Sequence, residues 1–209
     1  MSKSLVVVTD LDGVLLDFEG AWGSCSAKTL GRPTPRVTDD FHMMPRYNLS
    51  EEEYHNTWSA FHRDGWWGKI ERYPYADDLV SQITALGVDL WAVTNADPEV
   101  LSDRVKSLNG LIPVTRILTL GFRASAKVRA EMLEDLNAIA FLDDQIGNCN
   151  AACYSVAASV HLYRGYGGCE NPSSLVSVID DPFDFVEILR GMLAWEHGLN
   201  RFGGEGHSL

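Results

Sequence analysis

Residues 6–18 read VVVTDLDGVLLDF. Four apolar or β-branched residues form a short run, apolar on both faces, of the kind that becomes a fully buried strand. The run ends on two acids one residue apart, Asp10 and Asp12, followed at once by Gly13. Like charges that close repel each other, so a strand that finishes this way needs something at its edge to offset them.

The bulk properties narrow what that something is. A chain of 209 residues can bury a sizeable core, as one domain or as one domain with an insertion. Its net charge of −12 argues against binding a nucleic-acid polymer, which requires a basic surface. A small phosphorylated ligand stays open, because its charge can be met locally. No stretch approaches the roughly 20 apolar residues of a membrane span, and the apolar stretch at the N-terminus is too short for a secretory signal. The expected setting is the cytoplasm, with Cys25, Cys149, Cys153 and Cys169 reduced. Cys149 and Cys153 stand four apart, but no second pair of ligands accompanies them, and they read as packing residues.

Further buried runs follow the first: VDLWAVTN (88–95), a weaker TRILTL (115–120), AIAFLDD (138–144) and SVHLY (159–163). Between them lie helix-like segments at 77–87, 98–110, 127–137 and 148–158, and 180–197 reads as an amphipathic closing helix. This alternation predicts an α/β fold, a Rossmann-like parallel sheet with helices on both faces. The stretch 19–75 breaks the rhythm. It has no comparable strand, is rich in aromatic residues, and predicts short helices near 19–31 and 50–62, the latter opened by a Ser50–Glu53 capping box. The expected organisation is a core of 1–18 and 76–197, a small helical cap of 19–75 inserted after the first strand, and a flexible tail of 198–209. His197 and His207 read as part of that frayed end. Inserted there, the cap lies over the strand ends, where open α/β sheets bind ligands.

In a parallel sheet, Asp10 and Asp12, Thr94 and Asn95, and Asp143 and Asp144 all fall at one edge. Such a gathering of carboxylates is tolerated when a hard divalent cation sits among them, and oxygen ligands favour Mg²⁺.

DLDGV at 10–14, TN at 94–95, Lys127 and DD at 143–144 together resemble the four ordered motifs of the haloacid dehalogenase superfamily, over roughly 1–18 and 76–165. The resemblance implies Asp10 as nucleophile, Asp12 as general acid and base, Thr94 and Asn95 as phosphate-binding groups, and Lys127 as the balancing cation, with Arg123 its nearest substitute and Arg129 also close by. It implies Mg²⁺ held by Asp10, the backbone carbonyl of Asp12 and Asp143, with Asp144 in an outer position. Within that superfamily the second aspartate accompanies phosphatases and phosphomutases rather than dehalogenases, so the resemblance favours hydrolysis of a phosphomonoester and leaves a mutase, which needs the same pair, open.

DLDGVLLDFEGAW and the cap exit at GWW (65–67) resemble the 5′(3′)-deoxyribonucleotidase branch, which implies a mononucleotide substrate. Trp66, Trp67 and Phe18 are then candidates to stack on its base, although a strandless cap also needs aromatics for its own core. Arg46 and Arg63 are cations available to a second charged group, and His42, His55 and His62 match no common metal spacing. The alternatives are a phosphatase of sugar or other metabolite phosphates and a catalytically silent phosphate-binding relative.

Overall fold

Val7 and Val8 are neighbours in sequence, yet they belong to two different apolar clusters. A strand turns successive side chains to opposite faces, so both faces of this sheet are covered. The computed structural model describes residues 4–167 and 169–202, with the side chains of the last helix described as far as Trp195.

Six strands, β1 (Val6–Thr9), β2 (Asp89–Thr94), β3 (Ile117–Thr119), β4 (Ala138–Asp143), β5 (Ala158–Leu162) and β6 (Val176–Ile179), form one parallel sheet in the order β3-β2-β1-β4-β5-β6. Around it run α1 (Phe18–Leu30), α2 (Met43–Arg46), α3 (Glu51–Arg63), α4 (Ala76–Ala85), α5 (Leu101–Leu108), α6 (Ala126–Asp135), α7 (Ile146–Ala152) and α8 (Asp184–Phe202). Leu79 and Ile83 of α4 and Phe185 and Leu189 of α8 cover the Val7 face, while Leu133 of α6 and Cys149 of α7 cover the Val8 face. The strand order reverses between β1 and β4, and such a switch point opens a crevice at the carboxyl ends of the strands.

The expected α/β architecture is therefore the observed one, with one strand more. β6 escaped notice because it is an edge strand whose middle residues, Ser177 and Val178, are exposed, so it lacks a continuous apolar run. The closing helix starts at Asp184 and continues to Phe202, through residues read as tail. His207 lies outside the described residues, as does the side chain of His197. All four cysteines are free thiols. Among the described residues no helix is long and apolar enough to cross a membrane.

Between β1 and α4 the chain makes α1, α2, α3 and a 3₁₀ turn at Trp66–Lys69. Ser50 Oγ accepts from Glu53 N while the Glu53 carboxylate accepts from Ser50 N, which is the reciprocal cap expected there. Phe18, Trp22, Trp58, Phe61 and Trp67 pack ring against ring inside this segment, with centroids 4.4–6.2 Å apart. Its two connections to the sheet pair with each other: Asp17 N donates to Glu71 O and Tyr73 N to Leu15 O.

Candidate active site

Register brings the acids together. Thr9 of β1 pairs with Leu142 of β4, and Asp10 N donates to Leu142 O at 2.8 Å, so Asp10 leaves the sheet beside Asp143. On the other side Thr9 pairs with Ala92, two residues before Thr94. Carboxylate oxygens of Asp10, Asp143 and Asp144 lie within 4.8 Å of one another. Asp144, expected in an outer position, stands close to both of the other acids.

Each carboxylate is held differently. Asp10 Oδ1 accepts from Leu11 N at 2.7 Å. Asp143 is fully buried and accepts from Gln145 N (2.7 Å) and Asn148 Nδ2 (3.0 Å), which fixes both of its oxygens. Burial still pushes its carboxyl up to about 7 against the pull of Arg129. Asp144 is raised too, by burial first and then by Asp143, Asp10 and Asp12. Its carboxylate lies under Gly13, where a Cβ would sit 1.8 Å from Asp144 Oδ2, and Gly13 has a φ of +73°. Both facts demand glycine at this turn.

The balancing cation is Arg129, and this corrects the expectation for Lys127. Lys127 is 84% exposed and pairs only loosely with Glu131, one helical turn on. Arg129, 1% exposed, reaches Asp143 Oδ2 at 3.0 Å and Asp10 Oδ1 at 3.4 Å. Its guanidinium is anchored by Val93 O and Asn95 Oδ1, each at 2.8 Å. The reason is helix geometry: α6 buries Ala130 and Leu133, and Arg129 lies four residues before Leu133 on that face, whereas Lys127 points away. Arg123 is exposed as well.

Asp12 has a partner of its own. Arg104 Nη2 of α5, a fully buried side chain, donates to Asp12 Oδ1 at 2.6 Å, while Asp12 remains 27% exposed. Burial raises the Asp12 carboxyl, Arg104 draws it down, and Asp10 raises it further. Arg164 steadies the same turn, donating through Nε to Gly13 O at 2.6 Å and also meeting the Tyr75 hydroxyl.

These groups border a cavity of about 400 Å³ between the strand ends and the helical segment. Asp10, Asp12, Thr94, Asn95, Arg129 and Asp144 line its floor. Thr94 is buried at the end of β2. The Asn95 side chain is engaged, donating to Ala124 O and accepting from Arg129. Of the three aromatic candidates, Phe18 and Trp67 line the cavity and Trp66 does not. Residues in a 3₁₀ turn are about 120° apart, and Trp66 faces the other way, stacked on Phe61 with the Lys69 ammonium 5.3 Å over its ring.

Sequence reasoning missed Tyr54, Trp58, Phe122 and Tyr166 as further aromatic walls. Their only signal is an aromatic-rich composition. Arg46 also lines the cavity, buried among the carbonyls of Asp40 and Phe41 with Glu19 at 3.4 Å and Tyr166 beneath it. Arg63 pairs with its neighbour Asp64 instead.

The donor set fits a hard divalent cation. Oxygens of three carboxylates lie within 4.8 Å of one another and face one buried arginine, leaving a negative excess that burial makes costly.

No protein-family model matches the chain, and no curated protein matches it. Solved structures do match in fold. A haloacid dehalogenase-like protein of unknown function from Agrobacterium tumefaciens superposes with a TM-score of 0.61 at 13% identity, covering 91% of this chain and all (100%) of that one. A predicted phosphoglycolate phosphatase from Haemophilus somnus gives 0.58 at 16%, covering 90% and 99%. A HAD family hydrolase from Deinococcus radiodurans, with bound phosphate and sodium, gives 0.56 at 17%, covering 94% and 96%. At such identities the likeness is one of fold: the sheet and its helices are those of haloacid dehalogenase-like proteins.

Proposed function

We propose that this chain is a Mg²⁺-dependent phosphomonoester hydrolase working through an aspartyl-phosphate on Asp10, with nucleoside monophosphates as its substrates. The observation that carries the reading is the gathering of Asp10, Asp143 and Asp144, with Asp10 and Asp144 lining a cavity that also presents Asp12 and Arg129 and with Asp143 buried just behind them. Burial and mutual repulsion make that cluster costly unless a cation binds to it, and acids perturbed in this way are typical of catalytic sites.

Asp10, Asp143 and Asp144, with the Asp12 carbonyl, would hold Mg²⁺, which when bound supplies positive charge for the phosphoryl oxygens. An Asp10 oxygen attacks phosphorus, the bond from phosphorus to the ester oxygen breaks, and Asp12 gives that oxygen its proton. Water then attacks phosphorus of the aspartyl-phosphate, Asp12 takes the water's proton, and inorganic phosphate leaves as Asp10 is restored. Burial, which raises the Asp12 carboxyl, favours the protonated form needed first, and Arg104 favours the ionised form needed second. Arg129 steadies negative charge on Asp10 and the phosphoryl group throughout, while Thr94 and Asn95 border the phosphate position. The segment 19–75 acts as a cap that shields this exchange from bulk water.

The nucleotide refinement is supported by the walls. Phe18, Tyr54, Trp58, Trp67 and Phe122 give the cavity an aromatic lining suited to a nucleobase, and its volume is in the range of small-molecule sites. A second reading, a sugar or other metabolite phosphate, draws on the polar corner made by Glu19, His42 and Arg46. The setting we propose is the cytoplasm, where the four thiols would stay reduced. A panel of mononucleotides and sugar phosphates, run with Mg²⁺ and then with EDTA, tests the reading. Mg²⁺-dependent turnover preferring mononucleotides is expected; a preference for sugar phosphates removes the refinement, and no turnover of either removes the reading.

A further inference from the structure

Arg104 is an expensive side chain for this fold. It is fully buried on α5, and a guanidinium carries five N–H donors. One nitrogen, Nη2, donates to Asp12; among the described residues, Nε and Nη1 are buried without any acceptor. Buried donors are normally paired, and a buried ion pair of this kind is often no more stabilising than apolar residues of the same volume. Stability alone therefore gives little reason for an arginine here.

What the arginine does accomplish is geometric. Its guanidinium carbon lies 5.3 Å from the centre of the Trp67 ring, and Ser107, on the same helix, donates to the Trp67 carbonyl at 2.6 Å. Trp67 also lines the cavity. Arg104 is thus wedged between a cavity wall and the Asp12 carboxylate. It grips Oδ1, and Oδ2 has no hydrogen-bond partner among the described residues. Asp12 and Asp10 lie two residues apart with like charge, and without that grip nothing described would hold the Asp12 side chain in one orientation.

We propose that Arg104 is a positioning residue that holds Asp12 by one oxygen, so that the other meets the leaving-group oxygen of the bound ester. The inference rests on the phosphomonoesterase reading. It makes Arg104 matter most where proton donation matters most. An aryl ester such as p-nitrophenyl phosphate departs without a proton, whereas a nucleoside 5′-monophosphate, an alkyl ester, needs one.

The test compares kcat/KM for these two esters, with Mg²⁺, in the wild type, Arg104→Met and Arg104→Lys. This ratio reports steps up to departure of the leaving group. In Arg104→Met, kcat/KM for the nucleotide is expected to fall on the order of a hundredfold and that for the aryl ester by less than about tenfold. Arg104→Lys, which keeps a cation in place, should show the same ester-dependent loss in smaller measure, and it carries the comparison if the Met variant does not fold. Parallel losses on both esters, or no loss, would overturn the proposal while leaving the phosphatase reading intact. A wild type that hydrolyses neither ester overturns that reading and this inference with it.

Discussion

Nη1 of Arg129 lies 3.0 Å from Oδ2 of Asp143, an ion pair between the first turn of a helix and the end of a strand in which both side chains are buried. The same nitrogen stands 3.4 Å from Asp10, so one cation bridges two acids contributed by separate strands. The pairing sets the first expectation. Arg129→Met should lower kcat for a mononucleotide on the order of a hundredfold or more, because a buried preorganised charge is lost. Lys127→Ala, on the exposed side of the same helix, should stay within about twofold. Equal losses in the two variants would contradict the placement.

Without metal, the acid cluster should make the fold sensitive to pH. Burial holds Asp143 near 7 in the folded chain, well above its ordinary value, and Asp144 is raised as well. The folded state therefore binds protons more tightly than the unfolded state. That stabilising contribution is full below the ordinary carboxylate range and is lost as pH rises through about 7. In EDTA, the midpoint of thermal unfolding should fall between acidic and mildly alkaline pH, and added Mg²⁺ should raise it more at the alkaline end. A midpoint that rises with pH in EDTA would contradict the cluster.

Gly13→Ala should damage the site. The added methyl would need space now held by Asp144, at a backbone φ of +73°. Turnover should fall at least on the order of tenfold, and more Mg²⁺ should be needed for half-maximal rate, because a cluster carboxylate must move. Unchanged Mg²⁺ dependence would contradict the close approach.

The aromatic walls separate by position. Trp58→Ala should raise KM for a mononucleotide more than for p-nitrophenyl phosphate, since its ring borders the cavity. Trp66→Ala, whose ring packs on Phe61 away from the cavity, should act through stability and change both KM values alike. A selective effect at Trp66 and none at Trp58 would reverse the assignment.

The acids were legible in the sequence because a short apolar run that ends on a carboxylate says where that carboxylate will stand. Asp10 and Asp143 follow from this alone, and parallel register does the rest. The cations were not, because a helix does not announce which of its charged residues turns inward. Yet a rule is visible afterwards: Arg104 lies four residues before buried Leu108, and Arg129 four before buried Leu133. Each arginine shares a helix face with an inward leucine, as Lys127 does not. The closing edge strand had no such signal, since its middle residues face solvent. The ring contacts that turn Trp67 inward and Trp66 outward depend on tertiary packing.

The account stands most directly on whether phosphorus becomes bonded to Asp10. Asp12→Asn, which slows the second step, is mixed with Mg²⁺ and p-nitrophenyl phosphate, whose leaving group needs no proton from Asp12, then quenched in acid, digested and weighed. The peptide containing residue 10 should carry the added mass of one phosphoryl group, removable with hydroxylamine and missing when Asp10→Asn is added to the same chain. Steady phosphate release with that peptide unmodified, and retained in Asp10→Asn, would contradict the account.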